Sequence, residues 1–103
     1  MSYLSPKKFV IFYHPNVRES LGLAQEIAAF INDHGASAEY SSIDDEAKRA
    51  RAGEADMLIS LGGDGTMLRV GRIGAFKSQP VLGINLGRLG FIVDVQPDEW
   101  RDV

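Results

Sequence analysis

The sequence predicts an α/β fold, in which an open, mainly parallel sheet carries helices on both faces. Three observations favour this fold class. The candidate strands are short, continuously apolar runs, as expected for strands buried on both faces. The segments between them repeat apolar residues at helical spacing. Strands and helices alternate at distances that suit right-handed βαβ crossovers in a parallel sheet.

In the first half of the chain, the predicted elements are strand, helix, strand and short helix. The run KFVIFY is rich in β-branched and aromatic residues and predicts a central strand. Four large apolar residues at helical spacing predict the first helix, and Gly35 stands where its C-cap belongs. A weak alternation predicts a more exposed second strand, and an aspartate caps the short polar helix. The bounds are Lys8–Tyr13, Val17–His34, Ser37–Ile43 and Asp44–Arg51.

The second half continues with a buried strand, an amphipathic helix and another strand. The predicted strand Asp56–Leu61 runs directly into glycines, and the helix Thr66–Phe76 presents an apolar stripe to the sheet. Pro80 opens the strand Val81–Ile84. A further apolar run then covers Phe91–Val95, and Pro97 with the acids after it predicts the start of another helix.

Composition limits the class of protein. A chain of 103 residues, 45% of them hydrophobic, suits one domain over residues 1–103. The net charge of -3, without a cluster of basic residues, argues against nucleic acid as the main partner. The absence of cysteine fits a reducing compartment, and no apolar run is long enough to act as a signal core or to cross a membrane. We therefore expect a cytoplasmic protein without a membrane partner.

The turn GGDGT, Gly62 to Thr66, has the outline of a phosphate site. A strand ends in glycines that can take unusual backbone angles and admit a ligand, and the following helix offers its first N–H groups at the positive end of its dipole. It is not a Walker loop, since no Gly-Lys-Ser/Thr follows, and Leu68 replaces the third glycine of GxGxxG. Asp64 is the unexpected residue, because a carboxylate repels a bare phosphate.

Two interpretations of Asp64 are open from the residues alone. Asp64 or Thr66 could cap the helix, which stabilises by about 1 kcal/mol. Alternatively, Asp64 could hold a metal ion that bridges to phosphate, or accept the proton of an attacking hydroxyl in phosphoryl transfer. The structural interpretation does not require three glycines. This favours the functional interpretation.

A second glycine-rich segment, NLGRLG from Asn85 to Gly90, follows the strand at Val81 and should share one sheet edge with the first. GGDGT resembles the phosphate-binding motif shared by NAD kinases, diacylglycerol and sphingosine kinases and, more distantly, phosphofructokinases. The stretch PVLGINLGRLGFIVD, Pro80 to Asp94, resembles the NAD kinase pattern G-I-N-x-G-x-L-G-F, which lipid kinases lack. The second half of the chain thus resembles a bacterial-type NAD kinase closely, and the first half resembles it only as a βαβ pattern.

This resemblance implies a Rossmann-like, phosphofructokinase-like domain and a role for each matching residue. Asp64 would be the catalytic base, directed at the 2′-hydroxyl of the adenosine ribose of NAD, and Mg²⁺ would accompany the donor phosphates. Phe91 would lie against the adenine, although a core position is almost equally compatible with the sequence. Asn85 could hold its loop or contact a ligand, and Arg88 could contact a ligand or solvent. The phosphates of ATP or polyphosphate would be received by Gly62, Gly63, Gly65 and Thr66.

The remaining polar residues have ordinary interpretations. Arg69 and Arg72 could reach a phosphate, but arginine on an amphipathic helix is more often solvated. His14 is interpreted as a strand-end residue and His34 as a cation near a helix C-terminus. Neither histidine has a partner at metal-ligand spacing, and no side chain is assigned as a metal ligand.

The resemblance also implies a larger, β-rich NAD-binding domain whose motifs these residues do not contain. We therefore expect this chain alone to bind NAD weakly and to be inactive or nearly so, while the full-length protein forms a homo-oligomer. Two alternatives are a lipid kinase domain and a stand-alone nucleotide-binding module without catalysis.

Overall fold

The computed structural model describes residues 6–86, which form a four-stranded parallel sheet flanked by helices. The strand order is β2-β1-β3-β4. This confirms the predicted fold class. In chain order the elements are β1 (Lys8–Tyr13), α1 (Ser20–Asp33), β2 (Ser37–Ser42), α2 (Glu46–Arg51), a 3₁₀ helix (Ala52–Glu54), β3 (Met57–Gly62), α3 (Asp64–Ala75) and β4 (Val81–Asn85).

Helices cover both faces of the sheet, because the apolar strands direct alternate side chains to opposite sides. On one face, α1 packs against the odd-numbered positions of β1 and β3. On the other face, α3 and the segment around the 3₁₀ helix pack against the even-numbered positions. The two cores consist of Ile11, Ala24, Ile27, Ala28, Ile59, Leu61 and Ile84 on the first face, and Phe12, Ile43, Ala52, Ala55, Leu58 and Val70 on the second.

The topology places a crevice between the carboxyl ends of β1 and β3. From β1 the chain crosses to β2 on one side and then returns to β3 on the other side of β1. The strand order therefore reverses between these two central strands, and open α/β sheets bind ligands at such a switch point. The register places Tyr13 beside Leu61 and Gly62 beside Asn85, so three loops leave the sheet at the same edge.

Two helices begin elsewhere than predicted. α1 starts at Ser20 rather than Val17, since the hydroxyl of Ser20 donates to the carbonyl oxygens of His14 and Val17 at 2.6 and 2.8 Å and stabilises a turn there. α3 starts at Asp64 rather than Thr66. Gly63 is its N-cap and has an extended backbone, with φ -106° and ψ -162°, so the helix follows β3 at once.

The side-chain cap of α2 also differs from the prediction. Asp45, not Asp44, is its N-cap, and its carboxylate accepts from the backbone N–H of Lys48 at 3.1 Å. Asp44 instead pairs with Arg69 on α3. None of the helices within residues 6–86 is long and apolar enough to cross a membrane. The predicted apolar run Phe91–Val95 and the helix start at Pro97 lie outside the described residues.

Candidate functional site

Gly62, the last residue of β3, is needed for space. A Cβ at this position would lie 2.6 Å from Thr66 Oγ1, 2.9 Å from Thr66 Cβ and 3.3 Å from His14 Cβ. The end of β3 therefore packs so closely against the first turn of α3 that only the hydrogen atom of a glycine fits at position 62. The reason differs from the predicted one, because positive φ occurs among the described residues only at Gly35 and Ser78, and not within the GGDGT turn.

Gly63 and Gly65 leave space on the outside of the same turn. A Cβ at either position would have no neighbouring heavy atom within 4 Å. Both glycines line a groove of about 410 Å³ between the loop after β1 and the start of α3. The other walls of this β1-side groove are formed by His14, Val17, Thr66 and Arg69.

The electrostatics of the β1-side groove suit an anion. The first N–H groups of α3 have no partners within the helix and lie at the positive end of its dipole. Arg69 adds a cation, whose guanidinium Nη2 is paired with the carboxylate of Asp44 at 3.1 Å. No carboxylate is among the described residues that line the groove. A phosphate group therefore meets donors and positive charge there.

Thr66 contributes a second polar feature. Its side chain is 2% exposed, and within residues 6–86 its hydroxyl has no hydrogen-bond partner. Buried hydroxyls without a partner are uncommon in proteins, and those that occur are often explained by function or by a water or ion. Here the hydroxyl lies close to Gly62, and Thr66 is one of the residues that line the β1-side groove.

Asp64 belongs to the opposite side of the turn. As the first residue of α3, it places a negative charge where the helix dipole stabilises one. Asn85, at the end of β4 and 4% exposed, donates from Nδ2 to Asp64 Oδ1 at 3.3 Å. Asp64 is not among the residues that line the β1-side groove. The turn thus separates a carboxylate on the β4 side from an anion site on the β1 side.

The family model described as the ATP-NAD kinase N-terminal domain matches residues 9–103 of the chain. The chain belongs to this family. The resemblance inferred from the two glycine-rich segments is therefore confirmed.

Three curated relatives named NAD kinase illustrate the match. The protein of Nitratidesulfovibrio vulgaris strain DP4 is 40% identical over 96 residues, which cover 91% of this chain and 32% of the relative. The protein of Treponema denticola is 39% identical over 88 residues, 84% of this chain and 30% of the relative. The protein of Bacteroides fragilis strain YCH46 is 55% identical over 49 residues, 48% of this chain and 17% of the relative. The chain spans about a third of the length of the first of these relatives.

The structure brings most of the predicted site of this ATP-NAD kinase N-terminal domain together. Gly62, Gly63, Asp64, Gly65, Thr66 and Asn85 all lie where β3 and β4 end. Arg88 and Phe91 lie outside the described residues. Within residues 6–86, no group of three or more His, Asp or Glu side chains could hold a metal ion.

Sequence reasoning gave His14 no ligand role beyond ending its strand, and it left Arg69 open between phosphate and solvent. Both line the β1-side groove, and the Arg69 side chain is 45% exposed. For His14 a signal was present, because it directly follows β1, and the carboxyl ends of neighbouring parallel strands share one edge of the sheet. The position of Arg69 depends on where α3 starts, which the sequence placed two residues too late.

Proposed function

We propose that this domain provides the phosphoryl-transfer turn of an NAD kinase, which transfers a phosphoryl group from ATP to the 2′-hydroxyl of the adenosine ribose of NAD and forms NADP. The observation that carries the proposal is the separation of Asp64 from a groove at the start of the same helix whose described lining holds no carboxylate. Phosphoryl transfer needs both features, one for the donor phosphates and one for the attacking hydroxyl.

The β1-side groove would receive the donor phosphates. Gly63 and Gly65 leave its floor open, and the first N–H groups of α3 and the guanidinium of Arg69 supply donors and positive charge. Since these groups recognise phosphate oxygens and not a base, the groove suits the phosphates of ATP and equally those of polyphosphate.

Asp64 would act as the general base. When the 2′-hydroxyl of NAD attacks the γ-phosphorus of ATP, the new O–P bond forms as the bond to the β-phosphate oxygen breaks, and the hydroxyl proton passes to the Asp64 carboxylate. Asn85 holds this carboxylate through its amide and thereby fixes its direction. Arg88 and Phe91 would complete the β4 side as a ligand contact and as the ring against the adenine.

The residues present fit a magnesium ion that is held mainly by the donor phosphates. Mg²⁺ is usually bound by one or two carboxylates together with phosphates and water, and on the described part of the turn Asp64 is the available carboxylate. When bound, the ion would neutralise phosphate charge. Asp64, at the turn between the two sides, is the group of this segment that would hold it.

The complete protein would act in the cytoplasm as a homo-oligomer, and residues beyond this domain would supply most of the NAD contacts. The chain spans about a third of the Nitratidesulfovibrio vulgaris relative, which agrees with such a division. The chain alone should then form little or no NADP. The comparisons favour this function over a lipid kinase, since the relatives found are named NAD kinase.

A chimaera tests the proposal. Residues 1–103 replace the matching third of the Nitratidesulfovibrio vulgaris NAD kinase, and the remaining part of that enzyme without them serves as the control. We expect the chimaera, but not the control, to form NADP from NAD and ATP, and neither to phosphorylate diacylglycerol. A folded chimaera that phosphorylates the lipid, or that binds ATP without forming NADP, would contradict the proposal.

A further inference from the structure

We propose that His14 is a direct ligand for the donor phosphates, and that its Nε2–H donates to a phosphate oxygen in the β1-side groove. This inference rests on the proposed function in one respect, namely that the groove receives the donor. It assigns a role to a residue outside both glycine-rich segments, on the other wall of the crevice between β1 and β3.

The position of His14 supports this role. It is the first residue after β1, and its Cβ lies 3.3 Å from where a side chain on Gly62 would begin. Its ring therefore starts beside the GGDGT turn and lines the groove together with Gly63 and Gly65. A phosphate bound at the start of α3 would lie between these glycines and the ring.

The backbone of His14 is fixed from three directions. Its N–H donates to the carbonyl oxygen of Leu61 at 3.1 Å, which ties it to the end of β3. Its own carbonyl oxygen accepts from the hydroxyl of Ser20 at 2.6 Å and from the N–H of Val17 at 3.0 Å. Because the Cα position is held in this way, the ring has little freedom to leave the groove wall.

The hydrogen bond to the ring fixes which nitrogen donates. The backbone N–H of Asn16 donates to Nδ1 of His14 at 3.0 Å. A backbone N–H can only donate, so Nδ1 must be the unprotonated acceptor. The ring proton is then on Nε2, which becomes a hydrogen-bond donor and is directed away from the loop.

The groups that line the groove indicate which class of ligand would accept from the Nε2–H of His14. Arg69 and the first N–H groups of α3 offer donors to the groove, and the described lining contains no carboxylate that could accept from Nε2. A phosphate oxygen is therefore the acceptor that fits. Hydrogen bonds to a charged group are the stronger class, at about 1.5–3 kcal/mol, which corresponds to about tenfold or more in affinity.

His34, the second of the two histidines in the chain, is a natural control. Its Nδ1 lies 2.7 Å from the carbonyl oxygen of Phe30, so this nitrogen must carry the proton, and its ring packs on the Phe30 ring with centroids 4.1 Å apart. His34 thus has the opposite tautomer and lies at the far end of α1, where the chain enters β2.

Inorganic triphosphate titrated into the ¹⁵N-labelled 103-residue chain, without divalent metal, provides the test. Long-range ¹H–¹⁵N spectra should show Nε2–H at His14 and Nδ1–H at His34 in the free chain. Triphosphate should shift the imidazole signals of His14 and leave those of His34 unchanged. A His14 signal that does not move while triphosphate binds elsewhere would overturn the proposal. An absence of any binding at about 10 mM triphosphate would overturn it as well.

Matched variants separate the ligand role from a structural role. His14→Asn keeps an acceptor for the Asn16 N–H, since asparagine bonds the backbone two residues on, but it removes the Nε2 donor. His14→Gln keeps a donor near the Nε2 position. By calorimetry we expect about tenfold weaker triphosphate binding in His14→Asn, partial recovery in His14→Gln and no change in the control His34→Gln. Wild-type affinity in His14→Asn would contradict the proposal.

The chimaera distinguishes this inference from the proposed function. There, His14→Asn should raise KM for ATP about tenfold and leave KM for NAD unchanged. If the chimaera formed no NADP while the chain still bound triphosphate through His14, the proposed function would fail and the phosphate ligand would stand. If NADP formed with an unaltered KM for ATP in His14→Asn, the proposed function would stand and His14 would not be a donor ligand.

Discussion

Two aspartates border β3, and their surroundings differ sharply. Asp56, just before the strand, accepts the backbone N–H groups of Lys7 and Lys8, each at 2.9 Å, and these bonds hold the pKa of its carboxyl below its usual range. Asp64, just after the strand, accepts one amide N–H of Asn85 at 3.3 Å. The first carboxylate fastens the start of β1 to the sheet, whereas the second is directed at the edge where ligands bind.

The comparison contrasts a structural carboxylate with one proposed to be functional, on either side of the same strand. A structural carboxylate is engaged by short bonds to backbone groups that would otherwise lack partners. The carboxylate proposed to be functional is placed by its helix and by a neighbouring side chain, and no further partner within residues 6–86 accounts for its charge. Asp64 meets this description, since the start of α3 holds it and Gly63, not Asp64, is the N-cap.

The largest effect is expected from Asp64→Asn. In the chimaera, loss of a general base should lower NADP formation by about 10² or more. The free energy of unfolding of the 103-residue chain should fall by only about 1 kcal/mol or less, because the carboxylate contributes mainly through the helix dipole. Asp33→Asn, which removes an exposed carboxylate at the end of α1, is the matched control for the assay. Turnover like that of the wild type in Asp64→Asn would exclude Asp64 as the base.

A pair of glycine variants separates packing from ligand space within the turn. Gly62→Ala places a methyl group 2.6 Å from Thr66 Oγ1 and should cost about 1–3 kcal/mol in unfolding free energy. Gly63→Ala meets no neighbouring atom and has a φ of -106° that alanine accepts, so stability should change by about 0.5 kcal/mol or less.

Gly63→Ala should affect triphosphate binding more than it affects stability. The methyl group of Gly63→Ala enters the β1-side groove and should weaken binding although the fold is intact. Urea denaturation and calorimetry measure the two properties. Equal stability of both variants would show that Gly62 is not required for packing.

Asp56→Asn should change how stability depends on pH. The folded chain lowers the pKa of Asp56 through the N–H groups of Lys7 and then Lys8, so its stabilising effect is complete above the pKa of the unfolded chain and is lost as pH falls through the lower folded value. The urea midpoint of the wild type should exceed that of Asp56→Asn at neutral pH, and the difference should shrink below about pH 4. A difference that is constant with pH would contradict this role.

A small effect on stability is expected from Arg69→Ala. Its ion pair with Asp44 is exposed, so the unfolding free energy should fall by about 1 kcal/mol or less. Triphosphate affinity should decrease and depend less on salt, because a cation leaves the β1-side groove. Asp44→Asn frees the guanidinium from its partner and should leave affinity unchanged or raise it. Lower affinity in Asp44→Asn would show that the pair positions Arg69 for the ligand.

The sheet could be predicted from the sequence because its strands are continuous apolar runs. β1 was predicted with its observed bounds, and β3 to within one residue at each end. The first residues of the helices were harder to predict from the sequence, since they depend on tertiary contacts. The hydroxyl of Ser20 bonds two carbonyl oxygens of the turn before α1. Gly63 is the N-cap of α3 and makes no side-chain hydrogen bond there.

For the candidate site, the sequence predicted the sheet edge that its residues share but not the side of the turn on which each one lies. The sequence indicated Asp64 and the glycines, yet it could not show that the carboxylate and the anion groove occupy opposite sides of one turn. That separation arises from the strand order, which places β1 on one side of β3 and β4 on the other. The position of His14 after β1 indicated its sheet edge, but its contact with this particular turn depends on pairing between strands more than 40 residues apart in sequence.

Triphosphate affinity of the Asp64→Asn chain, measured by calorimetry without divalent metal, tests most directly whether the two sides of the turn are separate. If Asp64 faces β4 and serves the hydroxyl, this variant should bind triphosphate within about threefold of the wild type. Binding tightened by about tenfold or more would place the Asp64 carboxylate within the phosphate site, because its removal would then relieve repulsion, and would contradict the separation.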